Sequence, residues 1–123
     1  MLHELDVKKL VLDNGEVPFD AWLESLRDLK LQAAVAARLA RVRVGNLGDH
    51  KSVGAGVFEL RIAKGPGLRV YFGRRGRTVI VLVGGGDKST QARDIQRAKQ
   101  LWEAFVYATE RLQKRSSEEA AEP

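Results

Sequence analysis

Arg61 and Arg69 are the residues of this sequence best suited by type and spacing to do chemistry. Each occupies a polar position in an alternating run. Phe58, Leu60 and Ile62 take one face of a strand and Val57, Glu59 and Arg61 the other; in the next run Leu68, Val70 and Phe72 oppose Arg69 and Tyr71. On adjacent antiparallel strands this alternation puts both guanidiniums on one side of a sheet. Two guanidiniums side by side repel unless an anion lies between them, and a phosphodiester accepts their forked donors well. Lys88 follows the end of the third strand and Lys51 precedes the first, so ammonium groups flank the pair. The competing reading is a solvated sheet face on which Glu59 partners Arg61.

The wider charge pattern agrees with an anionic partner. The stretch Lys51–Arg93 holds nine Lys/Arg against two acids, Glu59 and Asp87, whereas the 123-residue chain carries a net charge of only +5. Lys51, Lys64, Arg74, Arg75, Arg77 and Arg93 are therefore candidate phosphate contacts. Other site classes fail. Without cysteine there is no disulfide framework, thiolate nucleophile or zinc finger, and the two histidines, His3 and His50, form no ligand pair. His50 reads as a loop residue without a role. Gly84-Gly85-Gly86-Asp87-Lys88-Ser89 leads from glycines into a helix start, but a phosphate loop needs glycine where Asp87 stands. The apolar run Val79–Val83, at five residues, is too short for a bilayer, and charges interrupt the first twenty residues before any leader-like stretch develops. A cytoplasmic protein with no membrane partner is the expectation.

The elements that must position the cations follow from local signals. Leu10–Leu12 reads as a short strand before the turn Asp13-Asn14-Gly15. Pro18 opens a helix with Phe19, Trp22, Leu23, Leu26 and Leu29 on one face, read as core. Asp28 can cap a second helix, about Leu31–Val44, whose stripe is Leu31, Val35, Leu39 and Val42; Arg38, Arg41 and Arg43 fall on or beside the opposite face. Gly45-Asn46 ends it. Gly54 and Gly56 suggest a bend or bulge before strands over Val57–Ile62, Leu68–Phe72 and Thr78–Val83, a meander with one face under the helices. After Gly84–Gly86 a last helix of roughly twenty residues follows, with Ile95, Ala98, Trp102, Phe105, Val106 and Leu112 as its stripe. This is an α+β chain with a small curved antiparallel sheet packed against two N-terminal helices and a C-terminal helix. It makes a single domain over residues 1–114, followed by a flexible tail, 115–123.

Four multi-residue words carry a resemblance: FxxWLxxLRD (Phe19–Asp28), RLxRxxxGNxGDxKxVGxGVxELRI (Arg38–Ile62), GPGxRVYF (Gly65–Phe72) and LVGGGDKSTQxxDI (Leu82–Ile95). In this order they resemble the RelE/HigB-like toxins, the addiction-module killer proteins. The resemblance implies a type II toxin that cleaves mRNA, usually in the ribosomal A site, without metal or cofactor, and is silenced by a cognate helix-turn-helix antitoxin. It implies that Arg69 holds the scissile phosphate, that Lys88 is a basic or acid/base residue, and that Arg61 and Lys51 are accessory cations. Several relatives carry a catalytic Tyr or His near the end of the last strand or in the next helix. Between Thr78 and Leu101 this chain has neither, leaving Tyr71 or Asp87 as substitutes. Two alternatives stand beside the nuclease: a non-catalytic RNA- or antitoxin-binding module, and a ParE-like gyrase inhibitor, against which GPGxRVYF and GGDKSTQ argue.

Overall fold

A computed structural model describes residues 3–121. Strand β1 (Asp6–Lys9) is followed by helices α1 (Pro18–Ser25) and α2 (Leu29–Arg43). Strands β2 (His50–Gly54), β3 (Val57–Ile62), β4 (Leu68–Arg75) and β5 (Val79–Asp87) come next, then a 3-10 turn (Lys88–Thr90) and helix α3 (Gln91–Ala121). Local chemistry sets several of these boundaries. Pro18 occupies the first turn of α1, where a missing N–H costs nothing. The Asp28 carboxylate accepts a hydrogen bond from Lys30 N (2.9 Å) and starts α2. Gly45, at φ +94°, takes the left-handed position after α2; its N–H donates to Val42 O and that of Asn46 to Arg41 O, which satisfies the last carbonyls.

The sheet order is β1-β5-β4-β3-β2. All neighbours run antiparallel except β1, which pairs parallel with β5 from Asp6↔Val79 to Lys9↔Leu82. The α+β class stands, with a mixed rather than purely antiparallel sheet. The first strand lies before Leu10–Leu12, because Leu10 is a buried anchor, closing the pairing through its N–H to Leu82 O. A further strand, β2, precedes the expected meander, and its register slips between Ser52 and Gly54 where the glycines foretold a bend.

Both faces of the sheet are covered. Leu60, Ile62, Leu68, Val70, Phe72, Ile80 and Leu82 pack against Phe19 of α1 and Val35, Leu39 and Val42 of α2. On the opposite face Val57, Tyr71, Val81 and Val83 pack with Leu10 and with Ala98 and Trp102 of α3. The single covered face expected from alternation is thus corrected: α3 folds back over the second one. Only the end of that face beyond the first turn of α3 is left for Arg61 and Arg69. The glycines belong to the sheet, not to a loop. A methyl on Gly73 would enter the Trp102 ring, one on Gly85 the Trp22 ring, and one on Gly86 the Asp94 carboxylate, so these positions let α1 and α3 approach the strands. A bulge at Tyr71/Phe72 sets Gly84 opposite Tyr71 and Leu82 opposite Phe72.

Two further expectations change. The polar stretch after Lys114 is helical as far as Ala121 rather than a frayed tail. Arg38 is not on the outer face of α2; it is buried, donating from Nη2 to Asp49 O at 3.0 Å. It stands three residues after Val35 and four before Val42, on the buried stripe itself.

Candidate functional site

Two rungs of the sheet build the site. In one, Lys51, Glu59, Tyr71 and Gly84 stand opposite one another across β2, β3, β4 and β5. In the other, Arg61 faces Arg69, which faces Gly86. Directly opposed residues share a face, so the guanidiniums of Arg61 and Arg69 lie together as the alternation requires. What holds them is Glu59, which is fully buried. Its Oε1 accepts from Arg61 Nε at 3.0 Å and lies 3.6 Å from Arg69 Nε. Its Oε2 accepts from Nε2 of Gln91, the first residue of α3, at 2.8 Å. Arg69 also donates from Nη1 to Leu68 O (3.1 Å), while its Nε finds no hydrogen-bond partner.

Burial pushes the Glu59 carboxyl toward its neutral form, but hydrogen bonds from Gln91 and Arg61 and the charges of Arg69 and Arg61 outweigh this. They hold it below the usual carboxylate range. One anion therefore serves two cations, and the cluster keeps an excess positive charge. Arg61 has 35% of its side chain exposed and Arg69 13%, so Arg61 is the one that faces solvent more fully.

Lys88 joins the pair through the β3–β4 turn. Its N–H donates to Gly67 O (3.0 Å), and a methyl built on Gly67 would touch both Lys88 Cβ (3.4 Å) and Arg69 Nη1 (3.6 Å). Asp87, next to it, is occupied: its carboxylate caps the 3-10 turn, accepting from Ser89 N (2.8 Å) and Ser89 Oγ. Hydrogen bonds from the Ser89 side chain above all hold the Asp87 carboxyl below its ordinary range despite slight desolvation. Tyr71 lies on the Arg69 face as expected, but α3 buries it completely and its hydroxyl has no partner. Burial, reinforced by the Glu59 and Asp94 charges, pushes its pKa upward, so it stays protonated. Neither substitute is a ready proton acceptor.

The remaining cations separate. Lys51 shares the Glu59 face but stands on the outer strand. Arg74 and Arg75 pair with Ile80 and Val79 at the far end of β4, and Arg77 lies in the turn beyond. Six residues of strand put Arg75 roughly 20 Å from Arg69, so these three do not belong to one patch with it. Lys64 is the exception, since it borders a groove beside α2 together with Arg61, Arg38 and Arg41. Arg93 lies on α3, its Nε 3.8 Å from Asp94, beside a different cavity. His50 is paired with Leu60 and so faces away from the arginine pair. Among the described residues no three metal-ligating side chains converge, and no helix is long and apolar enough to cross a membrane.

Glu59 was legible only as the partner of Arg61. Its hold on Arg69 and on Gln91, thirty-two residues away, needed the docking of α3. A buried-looking acid between Phe58 and Leu60 was the available signal.

A protein of Haemophilus influenzae, described as an uncharacterized protein, is 49% identical to this chain over 83 residues, which cover 68% of this chain and 84% of that protein. No family model and no solved structure matches the chain.

Proposed function

The chain belongs to one family with that Haemophilus influenzae protein, and we propose that it is the toxin of a type II toxin–antitoxin pair, an endoribonuclease acting on mRNA in the ribosome. The observation that carries this reading is the opposed pair Arg61 and Arg69 sharing one buried carboxylate, with Lys88 beside it. A phosphodiester at the open end of the sheet face would complete the charge balance of the pair. The reaction is attack of an RNA 2′-hydroxyl on its own 3′-phosphate, with the P–O5′ bond breaking. Arg61 and Arg69 stabilise the charge that grows on the non-bridging oxygens, and Lys88 gives a proton to the departing 5′-oxygen. With Tyr71 buried and Asp87 committed as a cap, water takes the 2′-hydroxyl proton. Orientation and charge stabilisation then supply most of the rate.

The same two observations on Tyr71 and Asp87 favour a second reading, a non-catalytic RNA- or antitoxin-binding module. Mapping RNA 5′ ends in cells after induction separates the two. New 5′ ends that vanish with Arg69→Ala and Lys88→Ala support the nuclease; each variant should lose about 10²–10³ in rate, the cost of one donor directed at a developing anion. Growth arrest without new 5′ ends would leave the binding module.

A further inference from the structure

A cavity of about 300 Å³ opens where β1 stops and the glycine half of β5, still paired with β4, continues without a neighbour on its other edge. Pro18, Ala21 and Trp22 of α1 form one wall, and Arg93, Asp94 and Arg97 of α3 the other. Val83, Gly84 and Gly85 make the floor together with Tyr71. Three features of this space bear on what it could hold. The Tyr71 side chain is wholly buried, and its hydroxyl makes no well-formed hydrogen bond although the Glu59 carboxylate lies beside it, so it is at best poorly satisfied. Gly85 and Gly86 are glycine because Trp22 and Asp94 fill the Cβ positions, but a Cβ on Gly84 would meet nothing within 4 Å, and its φ is not positive. Gly84 stands beside the Tyr71/Phe72 bulge, and glycine there leaves the floor open to a ligand. The walls, finally, combine the half-buried indole of Trp22 with two arginines one helical turn apart.

We propose that this cavity receives a nucleobase of the RNA strand: its plane stacks on Trp22, one acceptor on its edge accepts a hydrogen bond from the Tyr71 hydroxyl, and Arg93 and Arg97 hold the attached phosphate. The lining joins the Trp22 indole and aliphatic groups to two carboxylates, Glu16 and Asp94, and two arginines, so a flat heterocycle carrying an anion suits it better than a phosphate alone, which the carboxylates would repel. The inference rests on the RNA reading above and adds to it a base-sensing subsite across Tyr71 from the arginine pair. Tyr71 is thereby a binding residue rather than the proton carrier expected from sequence.

Titration calorimetry of the full chain with each of the four ribonucleoside 5′-monophosphates, and with ribose 5-phosphate as the base-free probe, tests it. Gly84→Val fills the floor where there is room, and Tyr71→Phe removes the hydroxyl while keeping the ring. The expected result is binding of at least one nucleotide, none of ribose 5-phosphate, and about ten- to hundred-fold weaker nucleotide binding in Gly84→Val at unchanged melting temperature. Equal nucleotide binding by Gly84→Val, or equal binding of ribose 5-phosphate and nucleotide by the native chain, overturns the proposal. If Gly84→Val melts early, Tyr71→Phe decides by the same comparison. Arg69-dependent cleavage in cells without nucleotide binding removes the base pocket alone. Nucleotide binding without new 5′ ends removes the nuclease alone.

Discussion

Replacing Glu59 by glutamine takes the charge away from between Arg61 and Arg69 while keeping the shape of the side chain. At 3.6 Å and an effective dielectric constant near 20, the attraction of the carboxylate for the Arg69 guanidinium is about 5 kcal/mol before desolvation is subtracted. Removing one partner of a buried pair typically costs about 3–5 kcal/mol, because the other charge is left stranded. Arg61, with 35% of its side chain exposed, can turn to water, whereas Arg69 at 13% cannot. The lower end of that range, about 3 kcal/mol, is therefore expected, and with it a melting temperature lower by about 10 °C for a domain of this size. Urea unfolding of Glu59→Gln and Arg69→Leu, singly and together, reads it directly. The double variant should recover part of the loss, since removing both charges leaves no stranded Arg69 guanidinium and Arg61 can turn to water. A Glu59→Gln protein within about 0.5 kcal/mol of the native one, a change typical of unremarkable surface positions, would refute the idea that this carboxylate holds the pair.

The same carboxylate sets an acid limit. Its pKa is depressed in the folded chain, so its contribution is complete above the ordinary value of 4.5 and fades as pH falls from there through the folded value. Native protein should lose stability across that window more steeply than Glu59→Gln in an acid unfolding series. Tyr71→Phe discards a buried hydroxyl that has no partner, and chemical denaturation should find it unchanged or up to about 1 kcal/mol more stable; a loss above about 2 kcal/mol would show that the hydroxyl is paired. Gly84 and Gly85, neighbours in β5, should not behave alike. Thermal melts should show Gly85→Ala destabilised by about 1–3 kcal/mol as its methyl meets the Trp22 ring. Gly84→Ala, with open space at its Cβ, should be neutral or more stable by about 0.5–1 kcal/mol.

What this sequence fixes unaided is local. Alternation in Val57–Ile62 and Leu68–Phe72 places Arg61 and Arg69 on one face, because a strand's period is two whatever covers it. Pro18, Asp28 and Gly45 mark helix ends through hydrogen bonds that reach only a few residues along the chain. Decisions over longer distances belong to the tertiary structure. That β1 joins β5 in parallel turns on backbone pairing, which carries no side-chain signature. That Glu59 and Tyr71 are buried turns on α3 returning across the second face, and the glycines look like a loop until Trp22, Trp102 and Asp94 are seen against them. Charge counts cannot say which end of β4 an arginine occupies relative to a site, so Arg74, Arg75 and Arg77 joined Arg69 in composition and parted from it in space. Period and capping act over one turn or one pleat, whereas a site is assembled from residues whose meeting depends on how whole elements dock.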